Sequence, residues 1–431
     1  MTLADAGRVG TSPRGGARLT IEGGHPLRGL VDIGGAKNAA LPIMAACLLT
    51  SDWCVLSNVP DIEDIHTMAA VLESLGAEVN FLSRHSVAIR AENLRTCRAE
   101  PELARRMRAS FLVMGPLLAR LGRAEAPHPG GCDIGERPVN VDVRGFEAMG
   151  ARVLAREGFY IAATEELHGS RLYLDYPSHT GTENLLMSAC LARGQTLIKH
   201  ASLEPEVGDL ARFLQAMGAQ IEGVGTSFLK VEGVSRLHSA NHRIIPDRLA
   251  AGTFAIAGAI SHGQVTVRHV SPEHLDAVSY KLMEMGAAVT EGDNWVTAGE
   301  GRPLEAVEVQ AIAYPGFPTD LQAACAALLT QAGGVSLVHE RVFENRLGYA
   351  QELRRMGADI HVSGQTARIK GPVRLRGSTV RALDIRCGAS LVLAALAAEG
   401  VTVIEDAFHI DRGYEDIEQT LRQLGAAVSR D

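Results

Sequence analysis

Aromatic residues are scarce: two tryptophans, seven tyrosines and ten phenylalanines make up 4% of 431 residues. The interior must therefore be aliphatic, and 45 glycines imply frequent tight turns. Positive charge is also in short supply. A formal net charge of −8 excludes bulk attraction to nucleic acid or anionic lipid, so local Lys and Arg must hold any anionic ligand. No apolar run is long enough to cross a bilayer. Residues 1–17 lack the apolar centre of a signal peptide and read as a flexible tail. The seven cysteines, Cys47, Cys54, Cys97, Cys132, Cys190, Cys325 and Cys387, form no Cys-x-x-Cys pair, which excludes the common zinc and redox motifs. Their odd number and scattered spacing fit reduced thiols in the cytoplasm. P-loop, Gly-x-Gly-x-x-Gly, His-Glu-x-x-His and Ser-His-Asp patterns are missing too.

What the chain does contain is a repeat. A helix-like segment ends in Leu or Met, then Gly-Ala, then an alternating strand. It occurs at Leu75-Gly76-Ala77, Met149-Gly150-Ala151, Met217-Gly218-Ala219, Met285-Gly286-Ala287, Met356-Gly357-Ala358 and Leu424-Gly425-Ala426, spaced 68 to 74 residues apart. The glycine reads as a left-handed residue closing a helix. Five copies continue into a second short strand, at 87–89, 159–161, 228–231, 295–297 and 367–369. The sixth reaches Asp431 first, and Arg18-Leu19-Thr20-Ile21 has the pattern of the missing strand. The expectation is an α/β protein of two domains, three units each, with apolar helices among small sheets. Residues 18–36 plus 245–431 form one discontinuous domain and 37–244 the inserted one. The chain crosses between them near Gly34–Lys37 and Ile244–Asp247.

Polar residues collect where each apolar helix begins: Gly34 to Asn38, Arg106 to Ser110, Ser178 to Glu183, Pro246 to Arg248, Phe317 to Asp320 and Asp384 to Cys387. Equivalent positions of a repeat share one edge, so six helix N-termini should face one cleft. Their free N–H groups, with Lys37, Arg108, Arg248 and Arg386, suit a polyanionic ligand. A Gly-rich loop from Pro129 to Pro138 carries Cys132 and Arg137. His409 to Tyr414 reads as a charged turn between strand and helix.

Gly34-Gly35-Ala36-Lys37-Asn38-Ala39-Ala40-Leu41-Pro42, Met107-Arg108-Ala109-Ser110, Pro129-Gly130-Gly131-Cys132, Phe317-Pro318-Thr319-Asp320, Phe343-Glu344-Asn345-Arg346 and His409-Ile410-Asp411-Arg412-Gly413-Tyr414 together resemble the UDP-N-acetylglucosamine enolpyruvyltransferase family. The resemblance runs from about Arg18 to Ala427. It implies a two-domain inside-out α/β barrel of six βαβαββ units. It also implies transfer of the enolpyruvyl group of phosphoenolpyruvate to the 3-hydroxyl of UDP-N-acetylglucosamine, by addition and then elimination of phosphate, the first committed step of peptidoglycan synthesis.

The resemblance assigns Cys132 as proton donor and target of the epoxide fosfomycin, and Asp320 as base. Lys37, Arg137 and Arg412 fall around the phosphate, Arg346 and Arg386 near the carboxylate, and Asn38 against both substrates. Arg108, Arg137, Pro138, Val139, Asn140, Val141, Asp320 and Val342 fall on the sugar-nucleotide site. It implies no metal, cofactor, nucleic acid, membrane or obligate protein partner. Asn140 stands where the family commonly has Asp, and the stretch Ser178 to Glu183 departs from its usual form. An enolpyruvyltransferase with another acceptor, such as a uridine nucleotide, and a non-catalytic sugar-nucleotide-binding paralogue stay open as alternatives.

Overall fold

A computed structural model describes residues 17–128 and 138–431. The six repeat glycines set the local architecture. Gly76, Gly150, Gly218, Gly286, Gly357 and Gly425 all have φ between 96° and 109°, the left-handed region that closes a helix without a Cβ penalty. At the first of them Gly76 N donates to Glu73 O at 3.0 Å and Ala77 N to Leu72 O at 3.0 Å, which satisfies carbonyls the helix end would leave unpaired.

Each glycine is followed by a strand, as at Glu78–Ser83, Ala288–Gly292 and Asp359–Ser363. A hairpin partner follows in five copies: Ser86–Arg90, Phe159–Ala163, Phe228–Glu232, Trp295–Gly299 and Thr366–Gly371. For the sixth, Leu19–Glu22 takes that place. It lies antiparallel between Val401–Glu405 and Ala427–Arg430, with Ile21 opposite both Thr402 and Val428. Among the described residues there are six open sheets, five of four strands and one of three. None closes on itself. The sheets are mixed; Arg28–Asp32, for example, runs parallel to Gln264–Arg268, which pairs antiparallel with Trp295–Gly299.

Three of the helices are apolar on nearly all sides, which places them inside. Arg248–Ile260, Gln322–Leu329 and Ile385–Ala397 are buried along nearly their whole length and pack on one another. Burying each of their large aliphatic side chains contributes about 1.5–3 kcal/mol. Close approach matters at Gly252, where a Cβ would meet Leu321 Cδ1 at 2.5 Å.

Buried hydrophobics divide into two cores. One holds Leu19 to Ile33 together with Leu249 to Val428; the other runs from Ala36 to Ile244. The two passages between them lie side by side. Gly35 and Pro246 form an antiparallel bridge, with Ala36 N on Ile245 O at 2.7 Å and Asp247 N on Gly34 O at 2.9 Å.

The charged stretch His409 to Tyr414, between the strand Val401–Glu405 and the helix Ile417–Gln423, is anchored to the core. Phe408–Asp411 is one helical turn, because Ile410 and Tyr414 are buried, at 0% and 3% exposure, and pull the backbone onto the helix Ile385–Ala397. Among the described residues no helix is long and apolar enough to cross a membrane.

Candidate active site

Helical segments open at all six polar clusters. Lys37 is the first residue of Lys37–Ala46 and Arg108 of Arg108–Val113. Ser178, Asp247 and Asp384 cap the helices His179–Ala189, Arg248–Ile260 and Ile385–Ala397. The turn Thr319–Leu321 leads into Gln322–Leu329. Short oxygen-bearing side chains are strong caps because they accept from the free N–H groups of the first turn. Asp384 Oδ1 accepts from Arg386 N at 2.7 Å and Cys387 N at 3.0 Å, which fixes the root of the Arg386 side chain.

Asp320 stands between two buried arginines. Arg346 Nη2 lies 2.5 Å from its Oδ1, and Arg386 Nε lies 3.0 Å from its Oδ2. Burial opposes ionisation of this carboxyl, but Arg346 and Arg386 outweigh it, with help from Lys37, and hold it well below the usual carboxylate range. Each arginine is tied down elsewhere. Arg346 Nη1 donates to Thr319 Oγ1 at 2.9 Å. Arg386 Nη1 donates to the Tyr414 hydroxyl at 3.2 Å, which is 2.8 Å from Thr253 Oγ1.

A second carboxylate joins the two cores. Asp64 Oδ2 accepts from Lys37 Nζ at 3.1 Å and its Oδ1 from Arg412 Nε at 2.9 Å. Asp64 and Lys37 are buried, at 3% and 8% exposure. Asn38 follows Lys37 in the first helical turn and is half-buried. Since Lys37 also acts on Asp320, the two clusters form one electrostatic unit: four cations around two carboxylates.

The third group gathers around the helix starts Arg108–Val113 and Asn140–Ala148 of the other core, with Val342 from the first. Arg108 Nη2 donates to Pro138 O at 3.3 Å, while Val139 and Val141 are buried. The Tyr176 hydroxyl donates to Asn140 Oδ1 at 3.1 Å. Val342 is exposed, and its N–H is held by Glu340 at 2.7 Å. Cys132 and Arg137 lie outside the described residues.

A profile of the EPSP synthase (3-phosphoshikimate 1-carboxyvinyltransferase) family matches residues 21–421. UDP-N-acetylglucosamine 1-carboxyvinyltransferase 2 of Carboxydothermus hydrogenoformans is 48% identical over 96% of this chain and 99% of its own. UDP-N-acetylglucosamine 1-carboxyvinyltransferase 1 of Symbiobacterium thermophilum is 48% identical over 96% and 95%. The chain belongs to the UDP-N-acetylglucosamine 1-carboxyvinyltransferase family. Among solved structures, the enolpyruvyl transferase NikO of Streptomyces tendae superposes with a TM-score of 0.87 at 25% identity, covering 96% of this chain and 99% of its own. EPSP synthase of Acinetobacter baumannii shares the fold, with a TM-score of 0.77 at 16% identity over 96% of this chain and all of its own.

Within this carboxyvinyltransferase scaffold one expected cleft cation is otherwise engaged. Arg248 pairs with Glu204 and with Glu206, the latter at 3.0 Å, because the passage at Pro246 brings its helix against the segment 204–206 of the other core. Its charge is therefore neutralised inside the protein. Next to it, His179 Nε2 lies 2.9 Å from Glu183 Oε1, close enough to pair yet misaligned for a hydrogen bond. Asp64 was not among the residues singled out in the sequence. A signal was available: Asp64, Met68 and Leu72 share the buried face of the helix Glu63–Leu75, and an acid on an apolar face requires a partner. Among the described residues no group of three or more His, Cys, Asp or Glu side chains is placed to hold a metal ion.

Proposed function

We propose that this protein transfers the enolpyruvyl group of phosphoenolpyruvate to the 3-hydroxyl of UDP-N-acetylglucosamine and releases phosphate. The observation that carries this is 48% identity across nearly the whole length of transferases named for that reaction, joined to a site in which four cations surround two carboxylates.

In this reading Lys37 and Arg412 take the phosphate, with Arg137, and Arg346 and Arg386 take the carboxylate of phosphoenolpyruvate. Asn38 contacts both substrates. Arg108, Arg137, Pro138, Val139, Asn140, Val141 and Val342 form the sugar-nucleotide side. The sugar oxygen bonds to C2 of phosphoenolpyruvate as its proton passes to Asp320, and Cys132 delivers a proton to C3, which makes a tetrahedral ketal. Phosphate then leaves C2, and a proton leaves the new methyl group to restore the double bond. Charge that builds on the departing phosphate falls on fixed cations. Asp320 held between two arginines is a poor base. Shifting Arg346 and Arg386 onto the substrate carboxylate makes it a better one, so base strength and substrate binding are linked.

Two domains of three βαβαββ units each, arranged as an inside-out barrel, belong to the same reading, with residues 18–36 plus 245–431 as one domain and 37–244 as the other. The two separate cores and the paired passages at Gly35 and Pro246 support it. A cytoplasmic setting follows from the proposed substrates.

The test is phosphate release from phosphoenolpyruvate with a panel of acceptors. UDP-N-acetylglucosamine should be turned over at least about tenfold faster than uridine monophosphate or 3-phosphoshikimate. Preference for either of those acceptors would overturn the assignment.

A further inference from the structure

Glu340 lies behind the site and is completely buried. A buried carboxylate must have its oxygens satisfied, and the way this one is satisfied is informative. Its Oε2 accepts from the Thr319 hydroxyl at 2.6 Å. Its Oε1 accepts from the backbone N–H of Val342 at 2.7 Å and of Phe343 at 3.0 Å. The two oxygens therefore serve two different walls. Thr319 directly precedes Asp320 and accepts from Arg346 Nη1, so it belongs to the wall that holds anions. Val342 and Phe343 form the turn that sets the exposed Val342 side chain, and Phe343 stacks under Arg346, whose guanidinium carbon is 5.1 Å from the ring centre.

The direction of the Thr319 proton decides the geometry. A hydroxyl has one hydrogen and accepts through lone pairs. With its hydrogen committed to Glu340, the oxygen presents only lone pairs to Arg346. The guanidinium is then placed with Nη1 on Thr319 and Nη2 on Asp320. Without an ionised acceptor at 340, the hydroxyl is free to turn toward Asp320, and the arginine loses its second anchor.

We propose that Glu340 is a positioning residue that couples the two substrate subsites, orienting Arg346 through Thr319 and the nucleotide-side turn through Val342 and Phe343. This rests on the reading that Arg346 binds the carboxylate of phosphoenolpyruvate and Val342 the sugar nucleotide.

The decisive variants are Glu340→Gln, Thr319→Ala, Thr319→Ser and the double variant Glu340→Gln/Thr319→Ala. Each is read for kcat, for KM of each substrate and for Tm. Gln keeps the volume and one acceptor oxygen, so the fold should hold. Glu340→Gln should raise KM for both substrates about tenfold, a loss typical of a supporting partner. Thr319→Ala should raise KM for phosphoenolpyruvate alone, and Thr319→Ser should restore it. The double variant should be no worse than Glu340→Gln toward phosphoenolpyruvate, since two changes along one path do not add. A merely structural carboxylate would lower Tm and the active fraction while leaving both KM values at wild type; that result, or additive losses in the double variant, overturns the proposal. Arg346→Lys separates the two ideas. If it leaves KM for phosphoenolpyruvate unchanged, the reading of Arg346 fails. If it raises that KM and Glu340→Gln raises neither, only the role of Glu340 fails.

Discussion

Arg412 Nε lies 2.9 Å from Asp64 Oδ1 although 348 residues separate them, and the pair spans the two hydrophobic cores. Lys37 takes the other oxygen, so one carboxylate sets the position of two cations. All three side chains are at most 14% exposed, which makes the loss of the shared partner expensive.

Asp64→Ala should therefore lower stability by about 3–5 kcal/mol, the usual cost of stranding buried charge. Asp64→Asn keeps the shape but loses the charge. It should cost less stability and still reduce kcat at least about tenfold, because both cations lose their orientation. Chemical denaturation and steady-state kinetics of the two variants check this. Wild-type kcat in Asp64→Asn would show that Lys37 and Arg412 hold their places without it.

Asp320→Ala should abolish nearly all turnover through loss of the proton acceptor, and it should not be structurally silent. Arg346 and Arg386 would face each other in a buried site without their counter-charge, so Tm should fall as well. The pH dependence has a defined sign. Burial disfavours the charged form, but the two arginines hold the folded-state pKa far below the unfolded value of about 3.9. The stability from this group is thus fully present above about pH 4 and is lost only as pH falls further. Wild type and Asp320→Asn should differ in stability by a constant amount from pH 5 to pH 8 and converge in stronger acid. A gap that already shrinks between pH 6 and pH 5 would contradict the ion-paired state.

The scaffold was far more legible in the sequence than the charge network. Gly76 and its five counterparts declare themselves because helix closure is a local event with one favoured residue, and repetition multiplies a weak signal. Leu19–Glu22 could be placed opposite Val428 because the sixth unit lacked a strand. The partners of Arg248, by contrast, are Glu204 and Glu206, 44 and 42 residues away, and nothing in the local pattern of either segment requires the other. Asp320 was legible as a candidate base from its resemblance. That Arg346 and Arg386 both close on it was not, since that meeting depends on how two helix starts and the turn carrying Arg346 converge. In His409 to Tyr414 the charged neighbours masked two buried anchors, Ile410 and Tyr414.

His179 gives a pH prediction of opposite sign. Burial alone would lower its pKa, but Glu183, Glu206 and Glu204 more than compensate and raise it to about 9. The unfolded value is about 6.5. The stabilisation from its charged form is therefore complete below about pH 6.5 and is lost as pH rises through about 9. His179→Gln should remove that part of the slope, so Tm of wild type should fall faster than Tm of the variant between pH 7 and pH 9. Parallel profiles would mean that the imidazole is neutral in the folded protein.

Cys47, Cys54, Cys190, Cys325 and Cys387 are buried, and Cys97 is half-buried. Burial pushes Cys190, Cys325 and Cys387 up to about 12, so these three hold almost no reactive thiolate at neutral pH. Among the described cysteines accessibility leaves only Cys97 as a competitor, and in the proposed site the cations should decide in favour of Cys132. A small anionic epoxide such as fosfomycin should gather where Lys37 and Arg412 stand and alkylate Cys132. Neutral iodoacetamide has no such guide and should also mark Cys97. Peptide mass mapping should show the epoxide on Cys132, faster when UDP-N-acetylglucosamine is present. In Lys37→Ala that labelling should slow at least about tenfold while iodoacetamide labelling of Cys97 stays unchanged. Cys132→Asp should resist the epoxide yet keep measurable turnover, because a carboxyl group can still deliver a proton if its pKa is raised. Epoxide on Cys97, or undiminished labelling of Cys132 in Lys37→Ala, would show that the cation site does not direct the reagent.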